Sequence, residues 1–248
     1  MWRSFRRWHG VVLCVAALVS TVWLAFTNQL ILYIHPRYIV FTVFMAALGL
    51  VLVVASFASK PDHDHDEPPR GFGKVLSVAA TVLTLVVAVG LVVIPPATLT
   101  TATANQRVIN STGVGSNTKT VESAASAPAG TFAKFTVLDW SSLLRQTSDA
   151  SFYQNKAADV VGFITKDRDD PQNVFFVSRF VITCCAVDAQ PVGVPVYLPN
   201  WRNGFAPDEW VRVKGFFDAN PSNKSQQSIA LVSTDTTKAE QPSEPYLY

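Results

Sequence analysis

The sequence predicts a membrane region of three transmembrane helices joined to an extracytoplasmic all-β domain, a small OB-like barrel with one helix. Three observations lead there. Of the 248 residues, 15% are charged and 49% hydrophobic, whereas a soluble globular chain carries about 25% charged residues. The apolar residues crowd into the N-terminal part. From about Phe132 the chain instead shows short runs rich in β-branched and aromatic residues, separated by polar turns. The net charge of +2 is too small to imply a nucleic-acid partner.

Residues 1–96 form the expected transmembrane domain, with spans at about 10–26, 38–58 and 75–94. These are GVVLCVAALVSTVWLAF, YIVFTVFMAALGLVLVVASFA and VLSVAATVLTLVVAVGLVVI. Each is free of charged side chains and close to the ~20 residues a helix needs to cross ~30 Å of hydrocarbon. The basic start, MWRSFRRWHG, suits a signal peptide, but no small-x-small cleavage site follows, which favours a retained anchor. Arg3, Arg6 and Arg7 precede the first span, and Lys60, Arg70 and Lys74 separate the second from the third. Only Arg37 lies between the first and second. The positive-inside rule then puts the N-terminus in the cytoplasm of a bacterial cell, and three crossings place everything after Ile94 outside the inner membrane.

Residues 97–131 are expected to be a flexible extracytoplasmic linker. Pro95-Pro96 ends the preceding helix, and the Thr, Ala, Ser, Gly and Asn that follow have no hydrophobic period with which to offset ordering entropy. Residues 132–248 form the expected OB-like domain. LDWSSLLRQ, 138–146, has helical spacing, with Asp139 as a candidate N-cap. Five strand-like runs follow: ADVVGFITK, VFFVSRFVI, VGVPVYLP, EWVRVKGFFD and SIALVS. Gly162 and Gly215 fall inside strands, where a tight barrel bends or bulges. The aromatic ending of EQPSEPYLY is expected to pack back on the domain.

Two of the three cysteines stand together in RFVITCCAVDAQP, at Cys184 and Cys185. On a regular strand they would point to opposite faces. VITCC, however, ends a strand, and AVDAQ begins a turn or helix, so both thiols can sit at one bend with Asp188 in reach. Thiolates favour soft ions such as Zn²⁺, Cu(I) or trivalent arsenic. Two further readings stay open: buried small hydrophobes, or a redox pair. In PDHDHDEPP, His63 and His65 alternate with carboxylates, a ligand set suited to zinc or a similar divalent ion, or else a solvated loop. His35 and Arg37, with Tyr33, suit the membrane interface. Asp159, Asp167, Asp169, Asp170 and Arg179 lack the His or Ser company that catalysis needs. With no phosphate loop, Gly-x-Ser-x-Gly or HExxH motif, the chain does not read as an enzyme.

YIHPR at Tyr33–Arg37, VVIPPATLTTATANQR, RFVITCCAVDAQP, the pattern W-V-x-V-x-G at Trp210–Gly215 and the closing PYLY give the whole chain a resemblance. It resembles the YcgQ-type membrane protein family. Members are commonly encoded beside a YraQ/YcgR-type permease and are regarded as permease subunits, some in zinc-linked gene settings; related permeases export organic arsenicals. The resemblance implies an accessory subunit in the lipid bilayer, partnered by such a permease and handling a thiophilic ion through Cys184 and Cys185. Two alternatives belong to other classes. One is a cell-surface ligand-binding module using aromatics such as Trp201, Trp210 and Phe205; the other is a thiol-redox component.

Overall fold

The computed structural model describes residues 2–58, 72–94, 97–111, 119–126 and 128–248. It divides into two compact units, 1–97 and 98–248. The first contains three helices: α1 (Trp2–Phe26), α2 (Ile39–Ala58) and α3 (Phe72–Val93). Between α1 and α2, His35 caps a 3-10 turn, its Nδ1 accepting from the Arg37 amide at 3.1 Å. Helix α1 packs on both α2 and α3. The small residues of α2 serve this packing: Ala46 is buried, and a Cβ added at Gly49 would meet Leu18 Cδ2 at 3.3 Å.

The expectation of three transmembrane helices is corrected here. Among the described residues one helical stretch, Pro36–Ser56, is long and apolar enough to cross a membrane. The shorter apolar helical stretches among the described residues are Val11–Phe26 and Val78–Gly90, below the ~20 residues that a span requires.

The second unit contains an all-β domain built on six strands: β1 (Ala157–Lys166), β2 (Val174–Val181), β3 (Gln190–Tyr197), β4 (Trp210–Ala219), β5 (Ile229–Lys238) and β6 (Tyr246–Leu247). The sheet order is β1-β4-β5-β3-β2-β6, and β1 also pairs with β2. Strands β1 to β5 therefore form a closed circuit. The sheet is mixed rather than purely antiparallel, because β3–β5 and β2–β6 run parallel. Five of its strands follow the runs rich in β-branched and aromatic residues; the sixth comes from the C-terminal PYLY. Closure demands close backbone approaches. A Cβ at Gly162 would lie 2.5 Å from Ser178 O, and one at Gly215 only 2.1 Å from Val232 O. Gly215 also sits at the register shift of β4 against β5.

Among the described residues the unit also holds four short α-helices: α4 (Thr101–Ala104), α5 (Val121–Ala125), α6 (Val137–Gln146) and α7 (Ala150–Tyr153). Helix α6 matches the expected 138–146 segment, but its N-cap is Thr136. The Thr136 hydroxyl accepts from the Asp139 amide at 3.2 Å, and Asp139 Oδ2 accepts from the Thr136 amide at 2.9 Å. Asp139 thus closes a capping box from the third helical position. The helix buries Trp140 and Leu143 completely against Phe132, Phe135, Tyr153 and Phe217 in the barrel core. Trp201, expected as an alternative ligand-face aromatic, is buried in the same core and tilts against Phe175.

Residues 97–131, expected to be a flexible linker, hold α4 and α5, and their described part is hydrogen-bonded onto the β-domain. Leu99 N donates to Tyr246 Oη at 3.0 Å, Thr101 N to Asp208 Oδ1 at 2.6 Å, and Asn110 Nδ2 to Gly193 O at 2.8 Å. The segment lacks a hydrophobic period because polar groups, not an apolar stripe, hold it down.

Candidate functional site

Strand β2 ends at Val181, and the chain then turns through Thr183, Cys184 and Cys185 into a 3-10 turn, Ala186–Asp188, before β3 begins at Gln190. Such a turn leaves several amides without a backbone partner, and Asp188 supplies the acceptor. Its Oδ1 accepts from Thr183 N at 3.2 Å, and its Oδ2 accepts from Cys184 N at 2.7 Å and Cys185 N at 3.4 Å. Asp188 N in turn donates to Cys185 O at 3.0 Å. The carboxylate is thereby drawn back over the two cysteines. The bend abolishes the strand alternation that would have sent the thiols to opposite faces.

The consequence is a cluster. One ligand atom from each of Cys184, Cys185 and Asp188 lies within 4.8 Å of the others. Both cysteines are free thiols, Cys184 exposed and Cys185 half-buried. In a tetrahedral zinc site, Zn–S bonds of about 2.3 Å place two sulfurs about 3.8 Å apart, so small side-chain rotations bring these three atoms onto one ion. Asp188 Oδ1 accepts from one amide and keeps its second lone pair for an ion. Three ligands leave one position of a tetrahedral ion open, the arrangement of sites that exchange what they hold.

The electrostatics of the cluster are anionic. The Cys184 thiol is held above its ordinary range, first by desolvation, then by the adjoining Cys185 thiol and the Asp188 carboxylate. A raised thiol is a poor nucleophile at neutral pH. A cation replaces the thiol protons, and the adjoining Cys185 sulfur and Asp188 carboxylate can then serve as its ligands.

His63 and His65, the other candidate metal ligands, lie outside the described residues. Among the other candidate carboxylates, Asp159 and Asp167 have structural partners. Asp159 forms an ion pair with Arg212 at 2.6 Å, and Asp167 accepts from the amides of Asp169 and Asp170 at 2.8 Å. Arg179 grips the C-terminal segment: its Nε donates to Pro245 O at 2.8 Å and its Nη2 to Glu244 O at 2.7 Å. One functional neighbour escaped the sequence reading. Arg107 Nη2 donates to Val187 O at 2.8 Å, and Arg107 Nη1 donates to Ala189 O. These carbonyls bracket Asp188. The only signal in sequence was a single basic residue among Thr, Ala and Asn.

No curated protein matches the chain in sequence. Among solved structures, an OBody bound to hen egg-white lysozyme is similar at 17% identity over 35% of this chain and 82% of that one. Its TM-score of 0.23 is too low to define the fold, which rests on the strand pairing above. The domain families are clearer. The DUF1980 N-terminal domain matches residues 9–110 and the DUF1980 C-terminal domain matches residues 131–248, with the cysteine cluster inside the second. Matched in this order, the chain carries a DUF1980 N-terminal domain followed by a DUF1980 C-terminal domain.

Proposed function

We propose that the chain binds a thiophilic metal or metalloid ion at Cys184, Cys185 and Asp188, and hands it over rather than storing it. The single observation that carries this reading is the convergence of two free thiols and one carboxylate within 4.8 Å on an exposed turn. Three ligands and an accessible mouth suit an ion in transit better than a closed structural centre. The apolar stretch Pro36–Ser56 supports attachment to a membrane. In that setting the chain acts as accessory subunit to a YraQ/YcgR-type permease, consistent with its resemblance to the YcgQ-type family. A thiol-redox role draws less support, because a raised Cys184 thiol attacks slowly near neutral pH.

The test uses the full chain, reduced and in detergent micelles. Zn²⁺ is titrated against a chelator of known affinity while free thiols are counted. The expected result is one ion bound per chain with loss of both thiols from the count. Cys184→Ser combined with Cys185→Ser should abolish that binding without lowering the melting temperature. Wild-type affinity should rise with pH up to and beyond the ordinary thiol range near ~8.5, because binding displaces thiol protons. Retention of zinc by the double variant would overturn the assignment.

A further inference from the structure

Residues 97–111 form a belt across the β-domain. Beyond the contacts of Leu99 and Thr101 already described, the belt crosses the β1–β2 turn, where Arg168 Nη2 donates to Asn105 O at 3.4 Å. It then reaches the cysteine turn through Arg107 and ends on β3 through Ile109 and Asn110. A Cβ added at Gly193 would meet Ile109 Cγ2 at 3.2 Å and Ser178 Oγ at 3.0 Å. The side-chain-free Gly193 therefore makes the notch in which Ile109 sits.

Strand β3 needs this cover for a reason written in its sequence. It pairs with β2 along its full length, Gln190 to Tyr197, but with β5 only at Val196 and Tyr197. The stretch QPVGVP thus keeps one open edge. Pro191 and Pro195 have no amide proton to leave unsatisfied there. Gly193 does, and Asn110 takes it. Gly193 N donates to Asn110 Oδ1 at 2.9 Å, Asn110 Nδ2 donates to Gly193 O at 2.8 Å, and Asn110 N donates to Pro191 O at 3.1 Å. One residue imitates a strand partner. It adopts the left-handed conformation, φ 62°, which asparagine tolerates better than most side chains.

We propose that Arg107 is a positioning residue of the ion site, and that the Arg107–Asn110 clasp couples belt attachment to ion occupancy. This inference rests on the ion-binding reading given above. The guanidinium fixes the carbonyls on both sides of Asp188, and so fixes the turn from which that carboxylate reaches back over Cys184 and Cys185. If the belt lifts, Val187 O and Ala189 O lose their donors and the turn is free to draw Asp188 away from the thiols. An ion spanning thiols and carboxylate holds the turn in the shape that Arg107 grips. Linkage makes the two effects equal in factor. The belt residues 98–110 fall within the DUF1980 N-terminal match although they are built into the second unit. A change in the N-terminal domain that pulls on the belt would therefore lower ion affinity and favour release.

The experiment uses the full chain in micelles, with Zn²⁺ as the probe and amide hydrogen exchange as a second readout. Arg107→Ala should weaken zinc binding about tenfold, within the usual range of coupling between sites. Arg107→Lys should recover part of the loss, since a single ammonium can grip one of the two carbonyls. Asn110→Gly keeps the left-handed backbone and removes only the amide, and should also weaken zinc. In the wild type, saturating zinc should slow exchange of the Asn110 and Gly193 amides by a matching factor, and should not do so after Cys184→Ser with Cys185→Ser. A merely structural clasp would change the melting temperature and leave this zinc dependence of exchange flat. Zinc affinity unchanged in Arg107→Ala, with exchange indifferent to zinc, would overturn the coupling while leaving the ion site standing. Absence of zinc binding in the wild type would overturn the ion site itself, and the coupling with it.

Discussion

Carboxylates in the second unit show how one side chain acquires different work from its neighbours. Asp188 faces two thiols and accepts from three amides, which leaves one lone pair of Oδ1 for an ion. Asp170 is 4% exposed and fully engaged. Ser222 Oγ donates to its Oδ2 at 2.6 Å, and Asn173 Nδ2 donates to both oxygens at 3.1 Å. The Ser222 hydroxyl first, and the Asn173 donors after it, hold the Asp170 carboxyl below the usual carboxylate range against the opposing cost of burial. A depressed folded pKa gives stability that is fully present above the unfolded value, near ~3.9, and is lost as pH falls through the folded one. We therefore expect stability to fall as pH drops below about 4. Asp170→Asn, which cannot titrate, should flatten that acid limb and cost some stability at neutral pH. Urea midpoints measured between pH 2 and pH 7 would settle the point; an unchanged acid limb in the variant would remove Asp170 from the account.

Among the elements, β6 shows how much a very short strand can carry. Its two residues pair in parallel with Phe180 and Val181 of β2, Ile182 N donates to Leu247 O at 3.0 Å, and Tyr246 is 3% exposed. Arg179, stacked 5.3 Å from the Trp210 ring centroid, holds the approach to it. Tyr246→Ala should cost about 3 kcal/mol, as large-to-small changes of buried aromatics do. Tyr246→Phe, which loses the bond from Leu99 N, should cost about 1 kcal/mol. Chemical unfolding of the two variants separates burial from the hydrogen bond; equal losses would mean the hydroxyl dominates. The five longer strands and α6 were legible because each satisfies its pattern locally: Val, Ile and Phe in runs, or Leu and Trp at helical spacing. The cysteine turn was half legible, since CCAVD marks a bend but not the backbone amides that pull Asp188 over the thiols. The three apolar stretches were overread. Among the described residues, Pro36–Ser56 is the one stretch long and apolar enough to span. The belt was misread for a different reason: its anchors are Arg107 and Asn110, whose partners lie some 80 positions away, and no local window contains both ends.

At the scale of the whole molecule, the boundary between the two units falls near residue 97, not at the start of the barrel proper. A chain beginning at residue 132 would keep all six strands and α6, but would lose the belt. With it would go the donors to Tyr246 Oη, Asp208, Val187 O and Ala189 O, and the pairing on Gly193. It would also lose Ala104 and Ala124, both fully buried. At roughly 1 kcal/mol for each net hydrogen bond, and with ordering entropy of the belt set against them, the fragment 98–248 should exceed 132–248 in stability by about 2–4 kcal/mol. For a domain of this size that is on the order of ten degrees in melting temperature. Both fragments should show the far-ultraviolet circular dichroism of a β-domain, so the comparison reads stability and not folding as such. The shorter one should also react faster at Cys184 and Cys185 with a thiol reagent, because the turn between β2 and β3 then loses the Arg107 bonds to Val187 O and Ala189 O. Equal melting temperatures and equal thiol reactivity would mean that the belt lies on the barrel without supporting it, and the unit boundary would move to residue 132. A clear difference in both would make the segment after α3 a working part of the β-domain, joining the end of the apolar region to the turn that carries the thiols.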